Sequence, residues 1–97
     1  MRLDLFLKLS RLVPRRTVAQ QLCEAGAVTV NDAVAKSSRE VRIGDILSIK
    51  LHGQIKTVRV LTVPTRPPSK ALAVTLYEVV KVETYEEEPF QLDILLE

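Results

Sequence analysis

Apolar residues crowd the first dozen positions with a helical spacing. At about 100° per residue, Asp4, Lys8 and Arg11 fall on one narrow stripe, and Leu3, Leu5, Phe6, Leu7, Leu9 and Leu12 cover the rest. The pattern predicts a helix over residues 2–12 with a broad core-facing surface. Asp4 and Lys8 form an i,i+4 pair of the favourable order, and Pro14 is the stop, because Val13 before it is pushed out of the α region. A second helix is predicted over residues 15–25, with Pro14 at its start. Its buried stripe is Val18, Ala19, Leu22 and Cys23, and Gly26 stands at the C′ position where positive φ is required. So short a joint makes the two helices packed neighbours.

After Gly26 the period switches from helical to two. Val28, Val30 and, past a turn, Val34 alternate with polar residues. Asn31-Asp32 suits a tight hairpin, because both tolerate positive φ. Residues 36–42 are polar and read as a surface loop. Gly44-Asp45 marks a turn before Ile46-Leu47-Ser48-Ile49-Lys50-Leu51, and His52-Gly53-Gln54 marks the next. Residues 46–51 and 55–63 are predicted to pair as antiparallel strands. Pro64, Pro67 and Pro68 punctuate a basic connector, followed by a short predicted helix over 69–76 capped by Ser69. Residues 77–82 are read as a strand, although their apolar spacing fits both periods. Glu86-Glu87-Glu88-Pro89 breaks any element, and Phe90, Leu92, Ile94, Leu95 and Leu96 form an apolar terminal stretch that docks on the body, binds a partner or stays loose. The expected organisation is one domain over residues 1–63, a Pro-rich connector with a short helix and strand packed on it over 64–82, and an acidic tail over 83–97.

The length of 97 residues and 46% hydrophobic content support one modest core and leave little room for a catalytic cleft. The longest apolar runs, such as Ala71-Leu72-Ala73-Val74, are four residues, against the ~20 needed to span a membrane. Asp4, Lys8 and Arg11 interrupt the leading leucines, so no signal-peptide core is present. A lone cysteine, Cys23, forms no internal disulfide, which fits a reducing, cytoplasmic setting. Charge changes the picture more than composition does. The net +2 splits into thirteen Lys/Arg and five Asp/Glu over residues 1–70 (+8) and one Lys and seven Asp/Glu over 71–97 (−6). A basic body with an acidic end invites a polyanion, either a nucleic acid or an anionic surface.

Six cations gather on the two helices and the following loop: Arg2, Lys8, Arg11, Arg15, Arg16 and Lys36. Arg15 and Arg16 open the second helix, where outward amides and the planar guanidinium fork suit phosphate. Four aromatics in the whole chain are too few for a base-stacking sheet, and Phe6 belongs to the core. Recognition of phosphate and shape in folded RNA fits better. Gln20 and Gln21, the only amides on the second helix, are read as simply exposed, so no base-reading set is offered to duplex DNA. Catalytic chemistry is thin. His52 lies in a turn and Cys23 on an apolar stripe, far apart in sequence. No metal-ligand spacing and no Gly-rich phosphate loop occur. The expectation is no enzyme, no metal, no cofactor and no small-molecule substrate.

The run Arg2-Leu3-Asp4, Phe6-Leu7-Lys8, Ser10-Arg11, then Arg16, Ala19, Leu22, Gly26, Val28, Val30 and Asn31, closed by Val41 and Gly44-Asp45, resembles the S-four domain, the RNA-binding module named for ribosomal small-subunit protein four. The likeness covers roughly residues 1–52, with Asp32 standing where the family commonly has Gly. It implies an α+β fold of two packed helices on a small, bent antiparallel sheet, with a C-terminal extension beyond it. The free-standing members are ribosome-associated. Likeness to those of ribosome-associated quality control implies binding of large-subunit rRNA and peptidyl-tRNA on obstructed subunits, beside an RqcH-like protein that directs C-terminal alanine tailing. On that likeness Arg2 and Arg16 carry the main contacts, supported by Lys8, Arg11 and Arg15. A heat-shock-type factor that recycles large subunits carrying a nascent chain would use the same surface. A regulatory module that docks a protein through Leu92, Ile94, Leu95 and Leu96 is the reading from another class.

Overall fold

A computed structural model of the chain describes residues 1–85. The acidic break at Glu86-Glu87-Glu88-Pro89 and the apolar stretch from Phe90 onward lie outside the described residues. The elements run α1 (Leu3–Leu9), α2 (Arg16–Glu24), β1 (Val28–Val30), β2 (Ala33–Val34), β3 (Ile46–Leu51), β4 (Gln54–Val60), α3 (Lys70–Ala73) and β5 (Tyr77–Thr84). All strand pairs are antiparallel, in the order β2-β1-β3-β4-β5. The class is therefore α+β, as the family resemblance implies.

The sheet's register follows from its alternation. Val30 lies opposite Leu47, Leu47 opposite Val58, and Val58 opposite Val79, which makes one apolar row across four strands. Val28, Val30, Leu47, Ile49, Val58 and Val60 face Leu3, Phe6, Leu7, Ala19 and Cys23 in a single core. Burial of each of the large side chains there contributes about 1.5–3 kcal/mol. Ser69 caps α3 by accepting a hydrogen bond from Leu72 N–H at 3.3 Å, as its position before a helical run suggests. Residues 77–82, which fit either period, are strand, because β4 presents a free edge that pairs with them. Tyr85 N–H then bonds Gly53 carbonyl at 2.9 Å, and its ring lies 4.5 Å from Lys50 Nζ.

Two turns behave as their residues require. Asn31 (φ 51°) and Asp32 (φ 68°) both take positive φ between paired Val30 and Ala33, the geometry of a type I′ hairpin. Gly26 (φ 73°) ends α2 with two bonds, Gly26 N–H to Cys23 carbonyl at 3.1 Å and Ala27 N–H to Leu22 carbonyl at 2.9 Å. This is the Schellman closure expected of a C′ glycine.

Three expectations are corrected. The first helix ends at Leu9 rather than running to residue 12. Arg11 takes φ 62°, and its N–H bonds the Lys8 carbonyl while Val13 N–H bonds that of Leu7, so the chain has left the helix well before Pro14. Asp4 does not share a solvated stripe with Lys8; it is fully buried. Val34 is 67% exposed and Ala35 is buried in its place. Val34 pairs with Thr29 and therefore shares the outward side of the sheet, because the two residues of the hairpin loop set the register.

Candidate nucleic-acid interface

The first turn of a helix leaves four backbone N–H groups without partners inside the helix. In α1 three of these find partners outside the helical ladder. Leu3 N–H donates to Arg39 carbonyl (2.7 Å), Asp4 N–H to Ser37 carbonyl (3.1 Å) and Leu5 N–H to the Asp4 side chain (2.8 Å), while Phe6 N–H to Arg2 carbonyl (3.0 Å) is the first bond of the helix itself. The loop over residues 36–41 is thereby laid along the start of α1, and Val41 N–H to Met1 carbonyl (2.8 Å) fixes its far end. This is how a polar loop distant in sequence brings Lys36 beside Arg2. Both line one concavity with Cys23 and Ser38.

At the centre lies the buried carboxylate of Asp4. Arg2 approaches it in a fork, Nε to Oδ1 at 3.2 Å and a terminal nitrogen to Oδ2 at 3.3 Å. Arg16 Nε stands 3.3 Å from Oδ2, and Gln20 Nε2 donates to the same oxygen at 2.9 Å. Burial alone would raise the pKa of such a group. The hydrogen bonds from Arg2, Gln20, Arg16 and Leu5 N–H outweigh it and hold Asp4 at about 2, below its ordinary 3.8. The carboxylate is thus ionised throughout the neutral range. It ties the start of α1 to one face of α2, since Arg16 and Gln20 are i,i+4 neighbours. The arginines it holds remain outward, with side chains 49% (Arg2) and 43% (Arg16) exposed. Arg16 engages Asp4 through Nε, so its two terminal nitrogens are left to form a donor fork towards solvent.

The six cations marked in the sequence divide in two. Arg2 and Arg16 are brought together on Asp4. Lys8, Arg11, Arg15 and Lys36 are exposed and form no ion pair among the described residues. Arg15 is the N-cap of α2 and makes no side-chain cap bond. Lys8 and Arg11 border a different groove, walled on its other side by Pro67 and Pro68. Sequence reading missed Asp4 as the organising group and took Gln20 as merely exposed. The available signal was the Arg16/Gln20 spacing, which presents two donors on one helical face and calls for an acceptor.

Several motif residues serve the scaffold. Asn31 Oδ1 accepts from Ile46 N–H (3.0 Å) and its Nδ2 donates to Asp45 Oδ1 (3.1 Å), while Asp45 Oδ2 accepts from Arg42 N–H (2.9 Å). Asn31 and Gly44-Asp45 therefore lock two turns to each other. Of the aromatics, Phe6 is fully buried, Tyr77 packs on the core and Tyr85 is covered by Lys50. Cys23 is buried, and burial followed by the charge of Asp4 pushes its thiol pKa up, which makes it a poor nucleophile. Among the described residues no cluster of three or more His, Cys, Asp or Glu could hold a metal ion, and no helix is long and apolar enough to cross a membrane.

Residues 1–47 match the S4 domain, the module whose likeness the sequence carries. Over 83 residues, covering 86% of this chain and 93% of the relative, the sequence is 48% identical to the RQC P-site tRNA stabilizing factor of Halalkalibacterium halodurans. The protein of the same name from Bacillus subtilis is 37% identical over 86% of this chain and 95% of its own. Among solved structures, trimeric Heat Shock Protein 15 of Vibrio cholerae superposes with a TM-score of 0.77 at 28% identity, covering 82% of this chain and 81% of that one. Sequence and fold agree: the chain belongs to the S4-domain family whose curated members carry the name RQC P-site tRNA stabilizing factor.

Proposed function

We propose that this chain is a non-enzymatic, cytoplasmic RNA-binding factor that binds rRNA and peptidyl-tRNA on obstructed large ribosomal subunits and steadies the P-site tRNA there. In that setting an RqcH-like partner directs C-terminal alanine tailing of the stalled chain. Membership of the family supports the biological setting, and the Arg2–Asp4–Arg16 constellation supports the chemistry. Two guanidinium groups held by one buried carboxylate offer charge at fixed positions, and Arg16, engaged through Nε alone, keeps a pair of terminal nitrogens that matches the planar, bidentate recognition of phosphate. Arg2 and Arg16 are the principal RNA-binding residues in this reading. Lys8, Arg11, Arg15 and Lys36 add attraction around them, and residues 1–63 form the RNA-binding unit.

The test is Arg2→Ala combined with Arg16→Ala, read by co-sedimentation with large subunits carrying peptidyl-tRNA. A hydrogen bond to a charged group contributes about 1.5–3 kcal/mol, so the pair should lower affinity by about 100-fold or more. The salt slope of binding should flatten by about two units, one for each phosphate no longer neutralised. Unchanged co-sedimentation would overturn the assignment of these two residues.

The structural likeness to Heat Shock Protein 15 favours a second reading, a large-subunit recycling factor that uses the same surface. Dependence on the RqcH-like partner separates the two. Tailing that requires both proteins supports the first reading, and subunit release without that partner supports the second.

A further inference from the structure

The carboxylate of Asp4 receives more donors than it has places for. Each carboxylate oxygen offers about two lone-pair directions. On Oδ1 these are filled by Arg2 Nε at 3.2 Å and Leu5 N–H at 2.8 Å. Oδ2 faces three nitrogens: Gln20 Nε2 at 2.9 Å, a terminal nitrogen of Arg2 at 3.3 Å and Arg16 Nε at 3.3 Å. The shortest of the three contacts comes from the neutral group. Gln20 holds one direction of Oδ2, Arg2 closes its fork on the other, and Arg16 is left with a single, longer contact. Arg–carboxylate pairs are frequently bidentate; here a second Arg16 nitrogen would need the direction that Gln20 occupies. Arg16 and Gln20 stand one turn apart on α2, so amide and guanidinium reach the same oxygen from one helix face and compete for it.

We propose that Gln20 is a positioning residue for RNA binding: by occupying Asp4 Oδ2 it keeps Arg16 tethered through Nε alone, with both terminal nitrogens directed to phosphate. The proposal rests on the RNA-binding role of Arg16 given above and deepens it. An amide suits the task because it is uncharged. It fills the acceptor and leaves the positive charge of the site to Arg2 and Arg16, whose side chains remain about half exposed. Gln20 is itself half-buried with its Nε2 engaged by Asp4, so it acts through Arg16 and not on the RNA. An open Oδ2 would draw Arg16 into a second fork on Asp4, and the nitrogens that serve phosphate would turn inward.

The test is Gln20→Met, which keeps the length and apolar stem of the side chain and removes the donor. Gln20→Ala vacates the same oxygen and should give the same pattern, so the outcome does not depend on one variant folding. Guanidinium nitrogen–proton spectra of the full-length protein are recorded first, with the Arg16 signals assigned by their loss in Arg16→Lys. The terminal N–H signals of Arg16 should be averaged by rotation in the parent and resolved in Gln20→Met, where the fork has closed. Gln20→Lys restores a donor within reach of Oδ2 and should return the averaged signals. In co-sedimentation with large subunits carrying peptidyl-tRNA, Gln20→Met should bind about fivefold more weakly, with a salt slope flatter by about one unit, because one phosphate loses its cation. In an Arg16→Ala background the same substitution should change neither quantity. A loss of equal size in both backgrounds would mean that Gln20 acts only by packing α2 on α1, and the positioning role fails. Averaged Arg16 signals in Gln20→Met overturn it as well. If Arg16→Ala weakens binding and Gln20→Met does not, the positioning role alone is lost. If Arg16→Ala binds like the parent, the RNA-binding role of Arg16 is lost and this proposal with it.

Discussion

The cations around Asp4 and those around the connector groove carry the same sign of charge and differ in how they are held. Arg2 and Arg16 share one buried carboxylate, with their guanidinium nitrogens 3.2 to 3.3 Å from its oxygens. Lys8 and Arg11 have no such partner among the described residues and face a wall of prolines. A free Lys or Arg side chain carries about 2 kcal/mol of rotamer entropy, part of which disappears on binding. For the arginines at Asp4 much of that ordering is complete before RNA arrives. Equal charge therefore does not mean equal contribution: the Asp4 pair supplies position, and the loose cations supply field and adaptability.

Asp4→Ala is the most severe way to break this contrast. Removing one negative charge raises the formal net charge from +2 to +3. If total charge governed RNA binding, affinity would rise. If ordering governs it, affinity falls, because Arg2 and Arg16 lose their common anchor. We expect subunit affinity to fall about tenfold. Stability should fall by about 3 kcal/mol, the low end for breaking a buried ion pair, since Gln20 and Leu5 N–H also lose their acceptor. Urea melts and co-sedimentation on the same preparation read both effects. Tighter binding by the variant would show that ordering is irrelevant.

Acid titrates the same group without mutation. The folded-state value of about 2 lies below the ordinary 3.8, so the folded form favours the ionised carboxylate. The resulting stabilisation is fully present above about pH 5 and is lost as pH falls through 3.8 towards 2; its size is about 2 kcal/mol. Other carboxylates titrate in this window too, so the informative quantity is the difference between the parent and Asp4→Asn. That difference should shrink as pH is lowered from 5 to 2.5 in urea melts. A constant difference would mean that the charge of Asp4 contributes nothing to folding.

Most of the fold was legible because local chemistry and global packing agree. Gly26, Asn31-Asp32 and Ser69 each demand one geometry, and the structure grants it. Legibility failed where a tertiary partner decided the outcome. Asp4 matches a polar stripe with Lys8 by angle alone, and nothing within the first helix reveals that Arg16 and Gln20 arrive from α2 to bury it. The groove was invisible for the same reason: Pro67 and Pro68 are 56 to 60 residues from Lys8 and Arg11 in the sequence, and no pattern announces their meeting. The six cations could be picked out by composition, but their division into held and free sets depends on that one buried carboxylate.

Exchanging the two cation types sharpens the contrast at constant charge. Arg16→Lys keeps the charge but loses the planar fork that serves Asp4 through Nε and leaves two terminal nitrogens outward. We expect about a tenfold loss of affinity with an unchanged salt slope, because the phosphate is still neutralised by a point charge. Lys8→Arg, in the free set, should change affinity by less than about twofold, since no fixed geometry is lost there. Equal effects from the two exchanges would erase the distinction between held and free cations.

The smallest effect tests whether binding accounts for a strained backbone. Arg11 sits at φ 62° just beyond α1, where a side chain costs about 1–2 kcal/mol and glycine costs nothing. Arg11→Gly relieves that strain but loosens the unfolded chain, so the net gain should be about 0.5–1 kcal/mol. Arg11→Ala keeps a Cβ in the left-handed region and should leave stability near the parent. Both variants lose the guanidinium at the groove and should bind subunits a few-fold more weakly. Thermal melts and co-sedimentation of the pair then separate the two roles. A position where glycine stabilises and weakens binding, while alanine only weakens binding, is one where the cation accounts for the strain. If Arg11→Gly melts no higher than Arg11→Ala, the turn carries no strain to relieve. If neither variant binds more weakly, the arginine is there for some reason other than the groove.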